Sequence, residues 1–333
     1  MQMKPLDPGI LAGLVRDAGT APSMHNAQPW QFRFLPDTQT LWLRADLARA
    51  MPTTDPDHRG LHLGCGAALF NLRVAAARIG RHPHVRLLPD PADQLSLATV
   101  DFRTPTPEAT EAGNDALAEL YPAILQRHTS RWPFAETALP ERVRAALVDA
   151  ARLEQSRLLF TGPWHSELLR DLVRDAEGRD LMDPGRTDDL ERWTRFGDET
   201  EAMAEGVPEY AFGPGMRDGN APVRDFAGRR QTSGRGSQVF EHAPHLALLG
   251  TAQDRPLDWL RAGQALERVL LVATLDDLVA SLTSHALEWP DLRSLARDPL
   301  SAIGHVQMVL RVGYGPRGPA SPRRPVNDIL SVG

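Results

Sequence analysis

Three short segments of this 333-residue chain carry side chains suited to holding a polar, negatively charged ligand. The first, PSMHNAQPW from Pro22 to Trp30, packs Ser23, His25, Asn26 and Gln28 between two prolines. An amide donates and accepts hydrogen bonds at once, which suits the edge of a heterocyclic ring. The same residues also read as a plain turn, with Ser23 capping a short helix, Pro29 ending it and Trp30 entering the core. The second segment is RHTSR, Arg127 to Arg131. Guanidinium forks pair bidentately with phosphate oxygens, and Thr129 can add a hydrogen bond. Read without a ligand, it is a solvated helix end. The third is PRRP, in which Arg323 and Arg324 are held in extended chain and project in different directions. Read plainly, it is a solvated basic pair.

Other patterns carry less. GCGAAL, from Gly64, has Leu69 where a dinucleotide-binding fingerprint needs its third glycine. Neither a Walker A sequence nor a G-x-S-x-G elbow is present. His58 and His62 are four apart, but no carboxylate follows in a zincin pattern, so they read as polar residues at a helix start and no metal site is expected. Cys65, the single cysteine, excludes an intrachain disulfide and reads as inert packing in an apolar helix.

The totals are those of an ordinary globular chain, 42% hydrophobic and 24% charged. A net charge of −6 argues against a general nucleic-acid surface, the short run RRQTSGRGS notwithstanding. Lys4 is the only lysine, so an anion would meet guanidinium groups. The start MQMKPLDPGI has no apolar signal-peptide region, and no apolar run reaches the ~18 residues of a membrane span. A cytoplasmic protein is expected.

Hydrophobic periodicity then supplies the elements that position these segments. Helices are predicted over 8–18, 57–79, 108–126, from Pro140, over 163–179 and over 256–275, and strands at WQFRF, TLWLRA, HVRLL, LSLATV, RLLF, HLALLGT and VQMVLRVGYG. Residues 184–244 are rich in Gly, Pro, Arg and Asp. They read either as a functional lid or as a disordered insert. Strands interleaved with helices predict α/β or α+β layers. Two rounds, each with a long apolar helix (61–79 and 262–275) near short strands, suggest a weak internal repeat, although such elements also recur by coincidence.

Taken together, the three segments resemble the nitroreductase superfamily of FMN-binding oxidoreductases. The family's Ser-x-x-Asn-x-Gln-Pro-Trp stretch reads here as Ser23 to Trp30. Its Arg-x-Ser/Thr-x-Lys/Arg phosphate motif reads as Arg127 to Arg131, and its basic pair as Arg323-Arg324. Ordinary members carry the Arg motif first. Here it follows, as in the twin-domain Acg-type branch, which RGLHLGCGAALFNLRVAAARIG, RHTSRWPF, WLRAGQALERVLLVAT and VLRVGYG also resemble.

The resemblance implies an α+β nitroreductase-like fold of two fused halves, 1–106 and 107–333. They form an intrachain pseudo-dimer with a lid insertion at about 184–244, and a monomer is expected. It implies FMN held by Ser23, Met24, Asn26, Gln28, Arg127, His128, Thr129, Arg131, Arg323 and Arg324, with Thr283 and Ser284 at the flavin N5 edge. A mirror site lacks its Arg motif and its amide loop, so one FMN per chain is expected. NAD(P)H is the implied electron donor, and nitro, quinone-like or other electron-poor small molecules are the implied acceptors. No catalytic side chain stands out, because the flavin carries the chemistry. The alternative is a non-catalytic FMN-storage protein, its lid closed by apolar residues such as Val207, Tyr210 and Phe212.

Overall fold

A computed structural model of the chain describes residues 5–105, 111–228, 234–299 and 301–333. Its helices are α1 (Pro8–Ala18), α2 (Arg59–Arg78), α3 (Glu111–Ala118), α4 (Glu141–Leu153), α5 (Pro163–Asp180), α6 (Pro184–Arg192), α7 (Glu199–Ala202), α8 (Pro256–Leu275), α9 (Pro290–Leu295) and α10 (Val326–Ile329). Its strands are β1 (Trp30–Leu35), β2 (Thr40–Ala45), β3 (Pro83–Leu87), β4 (Ser96–Pro105), β5 (Arg157–Phe160), β6 (Thr194–Arg195), β7 (Val207–Pro208), β8 (Gly215–Asp218), β9 (Ser237–Val239), β10 (Leu246–Thr251), β11 (Val279–Thr283), β12 (His305–Gly313) and β13 (Leu330–Val332).

Two antiparallel sheets share one plan. The first runs β1-β2-β4-β3 and the second β5-β10-β12-β11. In each, a twenty-residue helix joins the second strand in chain order to the third: α2 in the first, α8 in the second. In β1 the aromatic residues alternate, so Trp30, Phe32 and Phe34 all enter the core on one face. All of β10 is buried, because its two faces pack into different clusters: Ala247 and Leu249 toward α8, Leu246 and Leu248 toward α5.

The two long helices cross between the sheets, and the crossing point is glycine on both. A Cβ placed on Gly66 would lie 2.3 Å from the Leu260 carbonyl oxygen, and one on Gly263 would lie 2.2 Å from that of Leu63. The two backbones therefore touch. Gly66-Ala67-Ala68-Leu69 and Gly263-Gln264-Ala265-Leu266 occupy matching places in their helices. Around the crossing, side chains such as Leu69, Leu72 and Leu271 are fully buried, each stabilising the fold by about 1.5–3 kcal/mol.

The sheets differ in one connection. Residues 36–39 close β1 to β2 as a turn, whereas 161–245 separate β5 from β10. The described part of that stretch is structured. It holds α5 to α7, the parallel pairs β6–β7 and β8–β9, and an apolar cluster of Val207, Ala211, Phe212, Phe226 and Ala227. The expectation of a disordered insert does not hold for these residues. Residues 229–233, which begin RRQTSGRGS, lie outside the described residues, as does the expected boundary at 106/107.

Three elements depart from the sequence expectation. The helix expected over 108–126 is shorter: α3 ends at Ala118, and Pro122 stands in a separate 3-10 turn, Tyr121–Ala123. A strand, β11, forms over Val279–Thr283, where the sequence reading placed no element, and it ends at Thr283. Finally, β13 joins the first sheet, running parallel to β1 with Phe32 opposite Leu330 and Phe34 opposite Val332. The last residues of the chain thus complete the sheet built by the first. Among the described residues, no helix is long and apolar enough to cross a membrane.

Candidate functional site

The three segments singled out in the sequence converge on one cavity of about 1010 Å³, its open mouth included. The start of α2 forms one wall. Asp55 fixes it by accepting from the Gly60 and Leu61 amides, both at 2.9 Å. The 22–30 loop sits on this helix through small residues: Ser23 lies against Gly64 and Met24 against Gly60. These glycines are contact points for the loop, not a dinucleotide turn. The RHTSR loop is pinned opposite by the Ser130 amide donating to the Ala280 carbonyl of β11 at 2.9 Å.

The 22–30 loop holds His25, Asn26 and Gln28 in left-handed backbone conformation, with φ of 48°, 56° and 54°. Such residues cost of order 1–3 kcal/mol each and persist only where the surroundings over-determine them. Asn26 donates through Nδ2 to the Gly206 and Pro322 carbonyls at 2.9 and 3.1 Å and accepts from Arg323 at 2.7 Å. Gln28 donates to the Ala204 carbonyl and accepts the Arg324 amide. The Ser23 hydroxyl accepts the Gln28 amide at 2.9 Å instead of capping the short helix. The loop is therefore knotted to the insert and to the tail.

At one end of the cavity two guanidinium groups meet. Arg127 and Arg323 both donate to the Thr20 carbonyl, at 3.1 and 2.9 Å. Arg127 also pairs with the buried carboxylate of Glu267 at 3.4 Å. The Arg127 Nε is the atom that faces Glu267, whereas the Arg323 Nε is buried without a hydrogen-bond partner. Burial and then the neighbouring Arg127 push Arg323 down to about 9. Two guanidinium groups facing one carboxylate leave an excess of positive charge, which suits a phosphate-like anion.

His128 reports on this charge. Burial first, then Arg127, Arg323 and Arg317, lower its pKa to about 4 from 6.5. The native fold holds the ring neutral while the unfolded chain protonates it near 6.5, so this group removes stability as pH falls from 6.5 toward 4. A bound phosphate should raise the midpoint toward its ordinary value. Proton NMR of the His128 ring, with and without saturating inorganic phosphate, checks this; an unmoved midpoint would place the anion elsewhere.

Of the residues expected at the site, Ser23, Met24, Asn26, Arg127, His128, Thr129, Arg131, Ser284 and Arg323 line the cavity. The structure does not bring Gln28, Thr283 or Arg324 to its wall. Gln28 and Arg324 tie the loop to the tail, and the Thr283 hydroxyl donates to the Pro222 carbonyl at 2.5 Å. Asn26 faces the cavity with both N–H bonds of its amide donated to protein carbonyls and its oxygen accepting from Arg323. Tyr210 is half exposed and donates to the Ala320 carbonyl, and Phe212 is buried in the insert's own cluster; only Val207 of the three expected apolar residues reaches the cavity.

Several lining residues had no role in the sequence reading. Arg59 donates to the Gln307 and Leu287 carbonyls, and burial lowers it to about 10. His285, Arg224 and Phe226 also line the cavity. Only His25 carried a signal, by standing inside the motif. Cys65 is buried, donates to the Pro29 carbonyl, and burial pushes its thiol up, so it is inert packing as expected. Among the described residues no cluster of three or more His, Cys, Asp or Glu could hold a metal.

No family model matches the chain. Individual relatives do. It is 31% identical, over 93% of its length and 88% of the relative's, to "Putative NAD(P)H nitroreductase Rv3131" of Mycobacterium tuberculosis. It is 30% identical, over 97% of its length and 96% of the relative's, to "Putative NAD(P)H nitroreductase acg" of the same organism. Among solved structures it resembles a nitroreductase with bound FMN from Bacteroides fragilis at 13% identity and TM-score 0.37, covering 62% of this chain and 93% of that one. It also resembles the FMN- and NADPH-dependent nitroreductase NfnB of a Sphigopyxis strain at 14% identity and TM-score 0.40, covering 64% and 97%. On its near full-length likeness to these mycobacterial relatives, the chain belongs to the nitroreductase family, in the group that includes acg.

Proposed function

We propose that the protein binds one FMN per chain in this cavity and passes electrons from NAD(P)H to nitroaromatic, quinone-like or other electron-poor small molecules. The observation that carries the reading is the meeting of Arg127 and Arg323 at the Thr20 carbonyl, with the buried Nε of Arg323 left without a partner. That end fits a phosphate monoester. His128 and Thr129 stand beside it, while Ser23, Met24, Arg131 and Ser284 line the remaining space for the ring system. FMN when bound supplies the hydride chemistry. The chain's own residues bind it, orient it and exclude water.

The matching strand orders and the paired glycine crossing support an internal duplication, in which the two halves stand in for the two subunits of a dimer. The start of the first half, 1–106, has no Arg motif and the second half, 107–333, has no amide loop, hence one site. A monomer acting without nucleic acid or membrane, in the cytoplasm, goes with this reading.

A second reading has its own observation. The insert is fastened across the cavity mouth: Asn26 and Gly206 exchange hydrogen bonds, Gln28 holds Ala204, and Arg131 donates to the Ala211 carbonyl at 2.9 Å. A lid held in this way favours FMN storage over turnover. Anaerobic titration of the flavin-loaded protein with NADPH and then NADH separates the two. Bleaching of the visible band within seconds supports the oxidoreductase; a band that persists with both donors supports storage. Flavin-to-protein absorbance should give a ratio near one, and a ratio near two would refute the single-site proposal.

A further inference from the structure

The anion end of the cavity leaves two polar side chains unexplained. His25 lies in the strained 22–30 loop and His285 in the turn after β11, and both line the cavity. They are 6% and 1% exposed, and neither nitrogen of either ring has a hydrogen-bond partner. A buried polar group left unpaired costs about 1–3 kcal/mol. Four such atoms in one cavity wall point to a ligand that supplies their partners.

Their surroundings define that ligand. Burial, then Arg224, hold both rings well below the ordinary histidine pKa, with Arg131 adding to the effect at His25 and His25 to that at His285. Each is therefore a neutral imidazole, offering one N–H donor and one bare nitrogen. Arg224 is itself neutralised, by Glu288 at 3.0 Å and Asp180 at 3.1 Å. Phe226 meets the His25 ring edge to face at 5.4 Å, with the Arg131 guanidinium over it at 4.6 Å. Neutral N–H donors beside an aromatic wall suit a flat ring bearing an uncharged oxygen. His285, Arg224 and Phe226 also line a second cavity, under α5 and α6, so His285 stands at a junction between two spaces.

We propose that His25 and His285 are the specificity residues for the electron acceptor: together they donate to the carbonyl or nitro oxygen of a flat aromatic oxidant packed against Phe226. The proposal rests on reading the cavity as a flavin-dependent redox site. Should negative charge gather on that oxygen during reduction, neutral imidazole donors would still hold it.

The test is equilibrium binding, without turnover, of menadione and of 2-methylnaphthalene, the same bicyclic frame lacking oxygens. Calorimetry on the full-length oxidised protein reads both. The wild type should prefer menadione. In the double variant His25→Phe/His285→Phe, which keeps ring bulk and removes the nitrogens, that preference should fall about tenfold, while 2-methylnaphthalene binding holds. His25→Gln and His285→Gln, which retain an N–H donor, should keep most of it. If the double variant does not fold, the single phenylalanine variants give the same comparison with a smaller drop. No preference in the wild type, or one unmoved by phenylalanine, overturns the proposal. Flavin content, read from visible absorbance, tests the other reading separately. A flavin-free protein whose menadione preference still depends on the histidines would refute the redox site and keep the recognition pair.

Discussion

Arg127→Ala is expected to strip the protein of flavin, raising the Kd for FMN by about two orders of magnitude, because a charged hydrogen-bond partner of the buried phosphate is lost. It should also weaken the fold by about 3 kcal/mol, since it leaves the Glu267 carboxylate alone in the core. Burial already raises the Glu267 pKa, and Arg127 is the first of the groups opposing that rise. A carboxyl whose native pKa is raised favours the fold when protonated, so the loss of stability should fade as pH falls from that raised value toward the ordinary 4.5 and be gone below it. Urea unfolding against pH checks the second effect and flavin titration the first. The double variant Arg127→Ala/Glu267→Gln separates them: it should regain stability at neutral pH and still not hold FMN. Unchanged flavin affinity in Arg127→Ala would remove the phosphate from this end of the cavity.

Gly263→Ala or Gly66→Ala should be damaging for a different reason. Each new methyl group would meet backbone, at 2.2 Å and 2.3 Å from a carbonyl oxygen, and backbone cannot swing aside as a side-chain tip can. The helices must separate, at a cost of about 3 kcal/mol or more. Flavin content should fall with stability, because α2 carries Arg59, Gly60 and Leu63 and α8 carries Leu266 along the cavity wall. The control is Gly178→Ala in α5, where nothing lies within 4 Å of a Cβ. There the better helix former should stabilise by about 0.5–1 kcal/mol. Thermal and urea unfolding of the three variants give the comparison, and equal behaviour would mean the crossing is looser than drawn.

Much of this was legible in the chain itself, and the limits have physical causes. Helix α8 falls at the expected 256–275, because Pro256 opens a long apolar run. The three polar segments do converge, because residue type and spacing report the chemistry a segment offers. They do not report direction. Gln28 and Arg324 have the same chemistry as the residues beside them but point into the protein, where they satisfy a backbone held at positive φ. No composition signal marks three non-glycine residues in left-handed conformation. Strand β13 was missed because three residues carry no periodicity and pair with a strand near the other end of the chain. Arg224, Phe226 and His285 were missed because their importance exists only once the insert folds back over the cavity.

The pairing of β13 with β1 also sets a schedule. During synthesis β1 and β2 can form their hairpin early, yet the outer edge of β1 waits for residues 330–332. At about 5–20 residues per second, the ribosome needs roughly 15–60 s to supply them. Through that interval the nascent protein displays an open strand edge that carries Phe32 and Phe34, an invitation to mispairing with other chains. Newly made molecules should therefore depend on chaperones far more than finished ones do.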